Sequence, residues 1–107
     1  MTDVRRLPGG HAELVSHRYD GEGRTMAKFM DVHDGFVGVT AEQLNAAHEA
    51  DLKIEGEEGV HFERAWLDPE AGKVFCLSTG PSKEAVMRVH ERAGHPTTEV
   101  YELTTEV

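Results

Sequence analysis

One predicted helix carries an imidazole and two carboxylates on the side that should face the core. In the stretch AAHEADLKIEGEE, residues 46–58, His48, Asp51 and Glu55 recur at spacings of three and four positions. Such spacing places three side chains along one ridge of a helix. Imidazole and carboxylate ligands on a helix can converge on one cation, as the inward Glu and His pairs of di-metal bundles do. The ridge therefore predicts a metal site, and an acidic, solvated helix rim is the alternative.

A second predicted helix carries one imidazole inside an apolar stripe. Val86, Val89, His90 and Ala93 are spaced as on one buried helical face. Two helices on the same side of a sheet would bring His90 close to His48. A single histidine on such a stripe is more often a core residue bonded to a backbone carbonyl, so that role stays open for His90.

Further candidate ligands lie on the predicted strands and after the second helix. Asp31 and His33 share one face of the first strand, and His61 and Glu63 share one face of the second. His95 follows the second helix, at a position expected to be exposed. Of all these positions, the candidates that we keep as metal ligands are His33, His48, Asp51, Glu55, His61, Cys76, His90 and His95.

The types of these side chains narrow the choice of metal. A mixture of imidazole and carboxylate suits nickel, zinc or copper better than calcium, and the scarcity of thiolates argues against iron–sulfur clusters. Cys76 is either a ligand or a buried, inert thiol. Because imidazole must be neutral to bind a metal, binding is predicted to be strongest above the unperturbed histidine pKa, about 6.5.

Helix caps and turn residues indicate the elements that position these side chains. Thr40 opens the first helix, Gln43 completes a capping box, and Gly56 is predicted to follow the last turn. Ser82 caps the second helix and Gly94 ends it. The predicted strands cover residues 26–33, 60–68, 73–79 and 98–107, with a hairpin turn at 68–72.

The resulting order, βαββαβ, predicts an α+β fold of the ferredoxin-like kind. Right-handed crossovers make it a four-stranded antiparallel sheet with both helices on one face. The other face is bare in a monomer. Phe29 lies on one face of the first strand, and Phe62 and Trp66 are predicted to share a face of the second. Some of this apolar surface would be exposed unless a second subunit covers it, so a homodimer packed through its sheets is predicted.

Composition limits the number of domains, the partners and the cellular location that the protein can have. The 107 residues are enough for one domain, predicted at residues 26–107, after a flexible tail at residues 1–25 that has glycines and arginines but no periodicity. A net charge of −9 argues against nucleic acid and anionic membranes as partners. No stretch approaches the roughly 20 apolar residues of a membrane span. The single cysteine excludes an internal disulfide and favours the cytoplasm.

Four blocks of the sequence, KFMDVH, AHEADLKIEGEEGVHFERAW, GKVFCLS and VHERAGHP, closely resemble the small proteins grouped as domain of unknown function 4242. The resemblance covers residues 26–107, so Met26 is the expected natural start. It implies a ferredoxin-like, dimeric protein that binds nickel for sequestration or buffering rather than catalysis. The candidates inside matching blocks are His33, His48, Asp51, Cys76 and His90.

Three alternatives remain open on the sequence. Metal on a dimer surface would favour His33, His61 and His95 over the helix ridge. A small dimeric α+β barrel enzyme, such as a monooxygenase or isomerase, would use the same polar ridge to line a substrate pocket. However, no nucleophile elbow, phosphate-cradling loop or dinucleotide fingerprint occurs. A metal-free structural or interaction module is the third alternative.

Overall fold

The computed structural model describes residues 25–107 and, before them, the backbone of two short strands, β1 (Glu13–Leu14) and β2 (Arg18–Tyr19). The predicted flexible tail lies, apart from these strands, outside the described residues. The other elements are β3 (Thr25–His33), α1 (Ala41–Glu58), β4 (His61–Asp68), β5 (Lys73–Gly80), α2 (Lys83–Ala93), β6 (Glu99–Leu103) and β7 (Thr105–Glu106).

The main sheet confirms the predicted ferredoxin-like topology. Its strands run in the order β6-β3-β5-β4, every neighbouring pair is antiparallel, and the connections are those of a βαββαβ unit. The short β2 extends the sheet beside the start of β3, and β1 pairs separately with β7. The predicted last strand is therefore two strands, β6 and β7. The core lies between the sheet and the helices, where Phe29, Val74 and Val100 of the sheet pack with Val86 and Val89 of α2.

Both predicted helix starts are confirmed, and one predicted helix end is wrong. The Thr40 hydroxyl accepts from Gln43 N at 3.2 Å, while Thr40 N donates to the Gln43 side chain at 2.9 Å. Helix α1 does not end before Gly56. It continues to Glu58, because Gly59 is the residue in the left-handed conformation (φ 69°) that closes the last turn. In α2, Ser82 caps the helix and Gly94 ends it, as predicted.

A β-bulge in β4 overturns the prediction that Phe62 and Trp66 share a face. Phe62 pairs with Ser78 and Arg64 pairs with Leu77, so Glu63 is the extra residue and the alternation shifts by one. Phe62 is consequently buried in the core, 2% exposed, whereas Trp66 is 46% exposed on the opposite face.

The sheet face away from the helices carries an apolar surface, although its residues differ from the predicted ones. Phe29, at 1% exposure, lies in the core with Phe62. The opposite face instead presents Trp66 and Tyr101, which are 46% and 52% exposed, with half-buried Phe75 and Leu77 in β5, one of the two strands between them. Across the part of the chain that is described, no helix combines the length and apolar character needed to cross a membrane.

Candidate metal centre

The two central strands of the sheet place three polar side chains beneath the helices. Strand alternation puts Asp31 and His33 on the same side of β3 as Phe29, and they are 0% and 3% exposed. In the antiparallel register Asp31 lies opposite Cys76 of β5, so the thiol shares that face. Cys76 is 4% exposed. The predicted pairing of Asp31 and His33 on one strand face is therefore confirmed.

Helix α2 brings an imidazole down onto these strands. His90 is part of the buried stripe of α2, as predicted, and is fully buried. Its Nε2 lies 2.8 Å from Asp31 Oδ2, and His33 Nε2 donates to the same oxygen at 2.7 Å. The rings of His33 and His90 meet edge to face with their centroids 4.5 Å apart. One carboxylate oxygen thus lies against two imidazole nitrogens.

The other nitrogen of His90 faces a second carboxylate. Asp51 is the buried residue of α1, 1% exposed, and its Oδ1 accepts from His90 Nδ1 at 2.9 Å. His95 Nε2 donates to the same oxygen at 2.8 Å. The left-handed Gly94 turns the chain back at the end of α2, and His95 N then donates to the His90 carbonyl. His95, predicted to be exposed, is therefore only 15% exposed at its side chain.

Two overlapping groups of possible ligands result. The donor cluster comprises Asp31, His33, Cys76 and His90, each of which offers one ligand atom within 4.8 Å of the others. The outer triad comprises Asp51, His90 and His95, whose ligand atoms meet the same limit. His90 belongs to both groups, and it lies between them.

The charges in this region are strongly coupled. Burial disfavours the imidazolium of His90, but the adjacent carboxylates of Asp31 and Asp51 outweigh it and raise the pKa of His90 to about 11. Burial also opposes ionisation of the two carboxylates, yet their hydrogen bonds to histidines lower both pKa values below the ordinary 3.8. Burial raises the pKa of the Cys76 thiol. In the metal-free centre, the two carboxylates therefore favour the imidazolium form of His90, which lies between them.

Several polar atoms of the donor cluster lack partners. Among the described residues, Asp31 Oδ1, His33 Nδ1 and His90 Nε2 are buried without a hydrogen bond. His90 Nε2 is close to Asp31 Oδ2 but is not aligned with it as a hydrogen bond. Buried polar atoms without partners are uncommon and costly in native proteins, and a cation bound among them would offset that cost. With nitrogen, oxygen and sulfur donors together, the cluster fits nickel, zinc or copper.

The structure leaves three predicted ligands outside this centre. Glu55 instead accepts from Phe62 N at 2.7 Å and lies 3.4 Å from His61 Nδ1, and the His61 side chain is 66% exposed. His48 lines a shallow cleft with Leu44 and Asn45, near the start of α1. The helix ridge therefore does not converge on one ion, because only Asp51 points at His90. A metal-binding role for His48, Glu55 or His61 stays a prediction.

Asp31, which the sequence analysis noted on the same strand face as His33 as a further possible ligand, was not kept among the candidate metal ligands. The signal was present, because an acidic residue between Phe29 and His33 on a core-facing strand side has no solvent to satisfy it. What the sequence could not show is that Asp31 lies opposite Cys76 and under His90.

The fold and the centre together define a small ferredoxin-like protein with a buried cluster of metal-ligating side chains. Residues 29–103 match the family model described as nickel responsive protein SCO4226-like, and the chain belongs to that family. It is also similar to the crystal structure of SCO4226 from Streptomyces coelicolor A3(2), with 60% sequence identity and a TM-score of 0.70. That likeness covers 71% of this chain and 94% of the other. No curated protein matches the chain. The description of the matching family names a nickel responsive protein and does not mention domain of unknown function 4242. Membership in that second grouping therefore stays a prediction.

Proposed function

We propose that this protein binds a divalent transition metal, nickel foremost, in the donor cluster, and that its role is sequestration or buffering. One observation carries the proposal: four ligand atoms of three chemical types, from β3, β5 and α2, lie buried within 4.8 Å of one another. The match to a family described as nickel responsive supports nickel among the metals that fit.

The donor set supports retention of an ion rather than catalysis. Ionised Asp31 and a Cys76 thiolate together balance the charge of a divalent cation, while His33 and His90 add neutral nitrogens. All four residues are at most 4% exposed, whereas catalytic metal sites keep an open position for water or substrate. A free thiol in this role needs a reducing compartment, so the cytoplasm is the location we propose.

The test is a calorimetric titration with Ni²⁺ of the untagged protein and of two single variants, which gives the nickel affinity of each. His33→Gln removes an imidazole from the donor cluster but keeps a polar side chain of similar length. Because loss of an outer-shell partner alone typically costs 10- to 100-fold in metal affinity, loss of this ligand should weaken binding at least about 100-fold. His61→Ala, the matched control, removes an imidazole that is 66% exposed and should leave the affinity unchanged.

The opposite pattern would place the metal elsewhere. If His61→Ala lost nickel and His33→Gln kept it, the ion would belong to a surface site with Glu55, and the donor cluster would be a metal-free core. Circular dichroism of both variants separates loss of a ligand from loss of the fold.

The apolar sheet face supports a homodimer as the assembled form. Trp66 and Tyr101 are large, roughly half exposed, and on the face that neither helix covers. Exposed apolar patches of this kind mark interaction sites. Light scattering at micromolar concentration is expected to give twice the chain mass of 11.8 kDa. Trp66→Lys should give the monomer mass, because it places a charge in the interface, whereas Leu52→Lys, on an α1 side chain that is 40% exposed, should not. A monomer mass for the unmodified chain would contradict the proposal.

A further inference from the structure

The two nitrogens of the His90 ring have different surroundings. Nδ1 donates to Asp51 Oδ1 at 2.9 Å. Nε2 lies 2.8 Å from Asp31 Oδ2, but it is buried without a hydrogen bond. One nitrogen is therefore held by a partner outside the donor cluster, while the other faces the donor cluster and has no hydrogen bond of its own.

Asp51 is itself held firmly in place. It comes from α1, whereas the donor cluster is built from β3, β5 and α2, and it is 1% exposed. The oxygen that accepts from His90 also accepts from His95 Nε2 at 2.8 Å, so a second donor fixes the carboxylate. In a metal-binding histidine, the hydrogen bond of one ring nitrogen decides which nitrogen is left to bind the metal.

We propose that Asp51 is a positioning residue of the metal centre: its hydrogen bond keeps a proton on His90 Nδ1, so that Nε2 is the nitrogen that binds the ion. The inference rests on the proposed function, since the ion is the one in the donor cluster. Asp51 acts through the ring of His90 and does not touch the ion.

The carboxylate of Asp31 makes such a partner necessary. A neutral imidazole carries one proton, on either nitrogen. If Asp51 were absent, Asp31 Oδ2, 2.8 Å from Nε2, would favour the proton on that nitrogen. The proton would then occupy the position that the ion needs, and the free nitrogen would point toward α1. The hydrogen bond to Asp51 shifts this balance, because it rewards a proton on Nδ1 instead.

His33 lacks a comparable partner. Its Nε2 donates to Asp31 Oδ2 at 2.7 Å, and its Nδ1 is buried without a hydrogen bond among the described residues. Of the two histidines in the donor cluster, His90 is therefore the one whose second nitrogen is fixed by a carboxylate from outside the cluster.

The first experiment measures Ni²⁺ affinity by calorimetry in two Asp51 variants. Asp51→Leu is similar in shape and accepts no hydrogen bond, so it should lower the affinity by about 10- to 100-fold, the usual cost of losing an outer-shell partner. Asp51→Asn keeps an accepting oxygen without the charge and should recover most of that loss. Glu49→Leu and Glu49→Gln, at an exposed position of α1, make the same changes of charge and should leave the affinity unchanged.

Two results of this experiment would overturn the positioning role. One is an Asp51→Leu protein that binds Ni²⁺ as tightly as the unmodified chain. The other is an equal loss in both Asp51 variants, which would mean that the charge of the carboxylate, and not its hydrogen bond to the ring, acts on the ion. Circular dichroism of each variant shows whether the fold is kept.

Nitrogen NMR of the isotope-labelled, unmodified chain loaded with Zn²⁺ needs no substitution and reads the two ring nitrogens directly. Zinc is diamagnetic and suits the same donors. The expected spectrum shows a protonated Nδ1 and a zinc-bound Nε2 for His90, an assignment that a merely structural role of Asp51 would not fix. Zinc bound to Nδ1 would overturn the inference, because Asp51 would then lie beside the ion.

Comparison with His33→Gln separates this inference from the proposed function. Loss of nickel in His33→Gln together with full affinity in Asp51→Leu removes the positioning role and leaves the donor cluster standing. Full affinity in His33→Gln overturns both, whatever Asp51→Leu does, because the ion would not be in the donor cluster.

Discussion

Replacing His90 by alanine is expected to abolish nickel binding in the donor cluster and to lower the free energy of unfolding of the metal-free protein by about 3–5 kcal/mol. His90 is fully buried, and its ring lies 2.8 Å from the carboxylate of Asp31 and 2.9 Å from that of Asp51. Its removal leaves two buried carboxylates without their shared cation. Urea unfolding of metal-free protein measures the change in stability, and calorimetry with Ni²⁺ measures the loss of binding.

A second variant keeps this prediction testable if the alanine protein does not fold. His90→Gln fills most of the volume and offers one donor, so it should fold while it still loses the metal. His61→Ala, at an exposed position, should change stability by less than about 0.5 kcal/mol. A His90→Ala protein that is destabilised by less than about 1 kcal/mol would show that the carboxylates do not depend on the imidazolium.

The second large effect is a loss of stability of the metal-free protein as the pH rises. Folding raises the pKa of His90 from 6.5 to about 11, because the adjacent carboxylates of Asp31 and Asp51 outweigh the opposing effect of burial. A group whose pKa is raised on folding stabilises the protein fully below its unfolded value and loses that effect as the pH approaches its folded value. The free energy of unfolding should therefore fall between about pH 6.5 and 11, by up to about 1.4 kcal/mol per pH unit.

The carboxylates of Asp31 and Asp51 set the lower limit of the pH range in which the metal-free protein is most stable. Their pKa values are lowered on folding, so their contribution is present above 3.8 and is lost as the pH falls below it. The free energy of unfolding is therefore expected to be largest between about pH 3.8 and 6.5. Urea unfolding at about pH 6, 8 and 9.5 measures the slope, and His90→Gln should remove it. Equal stability of the unmodified protein at all three values would contradict the raised pKa.

The same environment changes the expected pH dependence of nickel binding. The sequence predicts binding that is strongest above about pH 6.5, the ordinary histidine value. The structure places the His90 ring between two carboxylates that favour its protonated form, and nickel must displace a proton from that ring to bind it. Nickel affinity, measured by calorimetry across this range, should therefore continue to rise well above that value.

Local signals in the sequence predicted most of the fold. The capping box at Thr40, the hairpin turn before Lys73 and the glycine at position 94 each act over a few residues, so they can be read without the tertiary structure. The end of α1 could not be read in this way. Gly56 and Gly59 both follow acidic residues, and the choice of Gly59 depends on Val60, which is buried and donates to the Glu55 carbonyl.

The bulge in β4 shows a second limit of local patterns. The extra residue, Glu63, is neither glycine nor proline, and nothing in its neighbours marks a break in alternation. Since one added residue reverses the faces of all that follow, Trp66 lies on the open side of the sheet and not in the core.

Periodicity predicted the members of the centre better than their grouping. Strand alternation identifies His33, and the apolar stripe of α2 identifies His90. The ridge on α1 is divided, because Glu55 accepts from the backbone of Phe62 while Asp51 faces α2. The convergence of Asp31, Cys76 and His90 depends on strand register and helix docking, which are properties of the folded chain.

Crystals of the protein loaded with Ni²⁺ at neutral pH, measured on both sides of the nickel absorption edge, test the central claim most directly. The predicted result is an anomalous peak for a nickel ion that is bonded to His90 Nε2 and surrounded by the donor atoms of Asp31, His33 and Cys76. A peak confined to exposed side chains such as His61, with the His90 ring still held only between Asp31 and Asp51, would contradict it.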